Sequence, residues 1–290
     1  QEMLLVLVFL LVTLKPVATQ QPKNIIILAG QSNMAGRGGV TFNWSTRALS
    51  WDGIVPTQSQ PNPSIQSLAA NLTWIHAREP LHGDIDYKKV NGVGPGMAFA
   101  NAVLPELGDT GLVPCSIGAT TLSQWERGGF LYEQMIKRTE VALRSGGALR
   151  AMLWSQGESD TVSLADAISY GWRLKQFFLN VRSDLKSPAL PIFHTGQVAL
   201  ASAEGPYMNV VRRAQLSLRL PNVVCLDAMG LDLEPDRLHL NTASQVLLGQ
   251  MFAKSFHNFV NQSQIRSSDS ARTWKASADE WQFQRSLRGW

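Results

Sequence analysis

Cysteine is scarce in this chain, with Cys115 and Cys225 the only two in 290 residues. Two thiols cannot build a disulfide scaffold or a cysteine-rich zinc site. Each falls in or beside a stretch that reads as a strand, where cysteine is commonly a buried thiol. Free thiols are therefore expected over a bridge. Histidine is also sparse, with five in the chain. His76 and His82 are six apart in a loop, and His194 and His257 stand alone, so no metal-ligand spacing is present. No metal or other cofactor is expected. Charge is thin as well: 17% of residues are charged and the net charge is +4. No basic run exceeds two residues, and Lys88-Lys89 and Arg212-Arg213 are pairs rather than patches, which argues against nucleic acid. The glycines of Gly92-Val-Gly-Pro-Gly96 have no Lys-Ser or Lys-Thr behind them and no strand leading straight in, which argues against a phosphate loop. A tight turn that lets the next helix start close to neighbouring backbone is the expected role.

Long apolar runs are missing too. Leu4 to Leu14, broken only by Thr13, is too short to span a membrane and suits a signal-peptide core. Lys15, Pro16 and the small residues Val17 to Thr19 follow, so cleavage is expected near Ala18 to Gln21. Residues 1–20 read as a signal peptide, which places the mature protein outside the cell, without a membrane partner once the signal is removed. Three glycosylation sequons agree: Asn43-Trp-Ser, Asn71-Leu-Thr and Asn261-Gln-Ser.

What the chain does have is apolar residues, 44% of its length, enough for one large core or at most two domains. Ile25 to Ala29 is apolar without alternation and short, as a strand buried on both faces should be. Gly30 ends it and Ser32 sits just past the tip. Arg37 to Val93 lacks clear periodicity and reads as a long loop whose tryptophans, Trp44, Trp51 and Trp74, suit either sugar stacking or local core plugs. Strands are then expected at Gly111–Ile117, Ala148–Trp154, from Leu190 to Phe193 onward, and at Asn222–Leu226. Helices are expected at Met97–Leu107, Leu131–Arg144, Leu164–Val181, Pro206–Leu220 and Thr242 to about Val260, the last capped by Asn241. The alternation argues for a mostly parallel sheet covered on both faces. One domain over residues 21–262 is expected, followed by a polar tail, 263–290, disordered or loosely packed.

A parallel sheet places all its strand C-termini along one edge, where ligands bind. Ser32, Gly118, Gln156 and the Asp236–His239 loop can meet there. Ester hydrolysis needs a nucleophile, a base and donors for the oxyanion. Ser32 supplies the first and His239 the second, with Asp236 three residues earlier able to fix the imidazole tautomer. The amides of Ser32 and Gly118 and the side-chain amide of Gln156 can serve as oxyanion donors. Asn33 and Arg37 lie beside the nucleophile as candidate substrate contacts, with a turn-stabilising role equally open. The context Gly30-x-Ser32-x-Met34 lacks the closing glycine of the α/β-hydrolase elbow, so that fold is disfavoured.

The blocks Gly30-Gln-Ser-Asn-Met-Ala-Gly36, Gly118-Ala-Thr120, Trp154-Ser-Gln-Gly-Glu-Ser-Asp160 and Asp236-x-x-His239 together resemble the SGNH hydrolases. They are most similar to the branch of sialate O-acetylesterase-like carbohydrate esterases, with acetyl-xylan esterases and plant homologues. The resemblance runs from about Lys23 to Val260. It implies a flavodoxin-like three-layer α/β/α fold and metal-free deacetylation of an O-acetylated carbohydrate through an acyl-serine. Gln156 stands where the wider superfamily has asparagine, and Ala119 where this branch commonly has glycine. The branch also implicates the glutamate of Gln-Gly-Glu, so Glu158 competes with Asp236 as the acid behind His239. Two other readings stay open: a non-catalytic carbohydrate-binding scaffold, and an esterase or lipase for longer acyl chains.

Overall fold

A computed structural model describes residues 24–144, 146–196 and 205–287, the stretch 266–287 by its backbone. The expected signal peptide lies outside the described residues. The centre is a seven-stranded sheet in the order β5-β4-β6-β1-β7-β8-β9. Its strands are β1 (Asn24–Gly30), β4 (Ile65–Leu68), β5 (Trp74–His76), β6 (Thr110–Pro114), β7 (Ala148–Ser155), β8 (Ile192–Gly196) and β9 (Val223–Asp227). All neighbours are parallel except β5, which pairs antiparallel with β4. Renumbered in chain order, β6-β1-β7-β8-β9 gives 2-1-3-4-5, the flavodoxin order, and β4 and β5 extend it at one edge.

Residues in β1 alternate between two cores. Ile25, Ile27 and Ala29 face a layer built with α3 (Phe130–Leu143), α4 (Leu164–Asp184) and α5 (Met208–Ser217). Ile26 and Leu28 face α2 (Pro95–Leu107) and α6 (Thr242–Leu287). Both faces are dry, which is why the run carries no polar alternation. The three-layer arrangement is thus the one expected.

The region expected to be a loop, Arg37 to Val93, holds β4, β5 and a hairpin of β2 (Val40–Asn43) and β3 (Ala48–Trp51). The hairpin is exposed beyond Val40, so burial imposed no pattern on it. In β4 the polar Gln66 and Ser67 are buried, and they mask a strand that sequence alone does not reveal. Asn241 caps α6 as expected, accepting from the Ser244 amide at 2.9 Å. That helix passes the end expected near Val260, and its backbone stays helical to Leu287. Cys115 and Cys225 are free thiols. They sit at β6 and β9, four strand spacings apart, on the order of 19 Å, well beyond disulfide reach.

Candidate active site

The tip of β1 can turn only because residue 30 has no side chain. Gly30 has φ +134°, and a Cβ there would lie 2.0 Å from the Ser155 carbonyl oxygen on β7. The chain then enters a single helical turn, α1 (Ser32–Ala35), whose Met34 and Ala35 amides bond back to the Gln31 carbonyl at 3.0 and 2.9 Å. Ser32 is its first residue, so its own N–H has no helical partner.

The loop after β9 brings the base to this turn. Asp236 Oδ1 accepts from the amides of Leu238 and His239 at 2.9 and 3.0 Å, which folds the loop tightly. Asp236 Oδ2 meets His239 Nδ1 at 2.6 Å, and His239 Nε2 lies 3.0 Å from Ser32 Oγ. Partial burial pushes the Asp236 carboxyl up. The hydrogen bonds from the His239 ring and amide and from the Leu238 amide outweigh it and hold the group down at about 2. It is therefore an acceptor at any ordinary pH, as the orienting partner of an imidazole must be.

Glu158 does not reach His239. It is buried, and its Oε1 accepts from Asn33 Nδ2 at 2.7 Å. Asn33 in turn accepts from the Leu240 amide at 2.9 Å and donates to the Leu238 carbonyl at 3.3 Å. Fully buried and so engaged, Asn33 is not a substrate contact; it ties the serine turn to the histidine loop. Arg37 borders the cleft, but its guanidinium is held by the Asp86 carboxylate, by Asn91 Oδ1 and by the Gly36 carbonyl. The expected substrate contact is thus part of a buried ion pair.

The expected oxyanion donors need two corrections. The Gly118 amide is already given to Asp86 Oδ2 at 3.1 Å. Gln156 is buried, and its two N–H bonds are shared among Gln31 Oε1, the Thr120 carbonyl and Asp160. Neither is left for a substrate. Among the donors at the cleft without a partner among the described residues are the Ser32 amide, the Ala119 amide and Gln31 Nε2. Gln31 Oε1 receives Gln156 Nε2 at 3.2 Å and the Gly157 amide at 3.3 Å, which orients its amide and leaves Nε2 unengaged. Ala119 is exposed and left-handed, with φ 60°, which explains why glycine suits that position. Sequence reasoning missed Gln31. The signal was there, an amide side chain between a buried strand and the nucleophile.

Around these groups lies a cleft of about 180 Å³, walled by Val40 and Leu49 of the hairpin, Leu238 and Lys89. Of the three loop tryptophans, Trp44 is 85% exposed at the hairpin, while Trp51 and Trp74 are partly buried. Among the described residues no group of three His, Cys, Asp or Glu side chains is placed to hold a metal ion. Nor is any helix there long and apolar enough to cross a membrane.

A serine, an imidazole and a carboxylate joined in sequence at one edge of a three-layer α/β/α sheet fit the class of ester hydrolases. Residues 22–258 match the family described as carbohydrate esterase, sialic acid-specific acetylesterase, and the chain belongs to that family. It is 52% identical over 239 residues to "Probable carbohydrate esterase At4g34215" of Arabidopsis thaliana, covering 81% of this chain and 90% of that protein. The crystal structure of the Arabidopsis thaliana protein superposes with a TM-score of 0.79 at 51% identity, covering 82% of this chain and 98% of that one. NanS shares the fold, with a TM-score of 0.65 at 16% identity over 84% of this chain and 99% of its own.

Proposed function

We propose that this protein is a secreted serine esterase that removes O-acetyl groups from a carbohydrate through an acyl-serine intermediate. The observation that carries the reading is the continuous chain Ser32 Oγ–His239 Nε2, 3.0 Å, and His239 Nδ1–Asp236 Oδ2, 2.6 Å. His239 takes the Ser32 proton as Oγ attacks the acetyl carbonyl carbon. The oxyanion forms against the Ser32 and Ala119 amides and Gln31 Nε2. His239 then hands its proton to the departing sugar oxygen. Water, deprotonated by the same imidazole, attacks the acetyl-serine carbonyl carbon; the bond to Oγ breaks, the imidazolium returns its proton to Ser32 Oγ, and acetate leaves. A cleft of about 180 Å³ suits a short acyl group with the sugar outside it. The carbohydrate assignment is supported by the names of the relatives. Secretion is supported by the apolar leader in the sequence and by the exposure of Asn43, Asn71 and Asn261.

Ser32→Ala should lower turnover of an aryl acetate by about 10³-fold or more, because nucleophile and base act as a unit. A serine-directed phosphonate should label the parent protein at Ser32. Retained hydrolysis in the variant removes the mechanism, and an acyl-length series in which longer esters win removes the acetyl assignment.

A further inference from the structure

Beside the catalytic cleft lies a second and larger cavity, of about 500 Å³. Lys89 and Gly118 line both, so the two spaces share a wall. Nothing in the acyl transfer uses it. Its base is apolar, with Ile117, Leu131 and Met135, and two rings at its edge, Tyr87 and Phe130, are 71% and 75% exposed. Exposed rings beside a cavity can take the apolar face of a sugar.

Its charge leans positive, with Lys88, Lys89 and Arg138 against Asp84 and Asp86. Arg138 lines the cavity and is 6% exposed, and its N–H groups go to the main-chain carbonyls of Pro114, Ala69 and Leu68. Carbonyls satisfy donors but cancel no charge. Among the described residues no carboxylate lies within ion-pair distance of Arg138, Lys88 or Lys89. Of the two carboxylates of the lining, Asp86 pairs with Arg37, while Asp84 accepts the Ala70 amide at 2.6 Å and keeps its charge, so Lys88, Lys89 and Arg138 outnumber it three to one. A buried cation without a counter-ion is costly, and a bound anion relieves that cost.

We propose that this cavity is a subsite for a carboxylate-bearing sugar that adjoins the acetylated sugar in a glycan chain. The proposal rests on the esterase reading above. It narrows the substrate to an acidic oligo- or polysaccharide, with the carboxylate turned toward Lys88, Lys89 and Arg138 and the ring against Tyr87 or Phe130.

The test compares O-acetylated oligomers of galacturonic acid with O-acetylated oligomers of xylose of equal length, each rate divided by that on an aryl acetate. The acidic series should be preferred at least tenfold in kcat/KM. Lys88→Gln with Lys89→Gln should bring the ratio near one, and salt at about 0.5 M should do the same without substitution. Equal rates in the parent protein, or a preference that survives the double substitution, overturn the proposal. A second arm needs no turnover. Ser32→Ala protein is titrated with unacetylated galacturonic acid oligomers, and binding that weakens at least tenfold on the double substitution supports the subsite. Absence of binding overturns it. Failure of the esterase reading shows differently, as loss of all acetyl-ester hydrolysis in the parent protein.

Discussion

Asn33 and Leu240 are 207 residues apart in sequence and 2.9 Å apart in space, joined by the Leu240 amide and the Asn33 side-chain oxygen. With Glu158 behind it, Asn33 sets the distance between nucleophile and base. Asn33→Asp keeps the acceptor for Leu240 but replaces the donor with a second carboxyl against Glu158. Turnover should fall by about 10- to 100-fold, and stability by about 1–3 kcal/mol for the lost buried partner. Steady-state kinetics with a urea melt measures both, and a variant with native kcat would show that the brace is dispensable.

Gln31→Ala removes a donor from the oxyanion position while leaving the triad in place. A loss of about 10²–10³ in kcat is expected, the usual cost of one such donor. Gln156→Ala acts on the oxyanion position at one remove, by releasing Gln31, so its loss of kcat should be smaller. If Gln156→Ala proves the more damaging, the donor assignment is reversed.

Four buried groups set the pH range of stability. Burial lowers His82 to about 3 and His194 to about 4, from 6.5. The unfolded chain binds these protons first, so stability falls as pH drops below about 6.5. Burial raises Glu79 to about 8 from 4.5 and Asp160 to about 7 from 3.8. Here the folded chain holds the protons, so stability falls as pH rises from these unfolded values toward 7 and 8. The two trends cancel between about pH 4.5 and 6.5, where Tm should form a plateau with a fall on either side. For His194 alone the acid loss is on the order of 3 kcal/mol at pH 4. Melting curves from pH 3.5 to 9 check this; His194→Leu should roughly halve the acid limb, His82 remaining, and should tilt the plateau so that Tm falls with rising pH across it.

Ala119 holds a left-handed backbone, which costs a residue with a Cβ about 1–2 kcal/mol. Ala119→Gly should therefore leave stability level or raise it by about 0.5–1 kcal/mol once the freer unfolded chain is counted. The amide that borders the cleft is untouched, so activity should stay within about twofold. A large loss of turnover would mean that the methyl group itself positions the loop.

Most of the frame was legible because strands buried on both faces leave short apolar runs, as Ile25–Ala29 and Ala148–Trp154 do. The meeting of Ser32, His239 and Asp236 was legible because a parallel sheet must gather its strand ends. The hairpin of Val40–Trp51 was not, since exposed strands need no pattern. Of the proposed oxyanion donors, the Ser32 amide was legible and those of Ala119 and Gln31 were not. Whether an amide such as that of Gly118 turns to substrate or to Asp86 depends on peptide orientation, and residue type does not encode it. Gln156 was misplaced for a related reason, because a longer arm beside Asp160 finds partners before it reaches the cleft.

On the proposed mechanism the nucleophile, Ser32, waits for its base, His239, 207 residues later in the chain. A ribosome making this protein therefore releases the hydroxyl long before the imidazole that sharpens it. The nascent polypeptide stays inert toward esters until nearly the whole sheet has emerged and closed. By the same reasoning, a copy cut short before His239 carries no stray hydrolase.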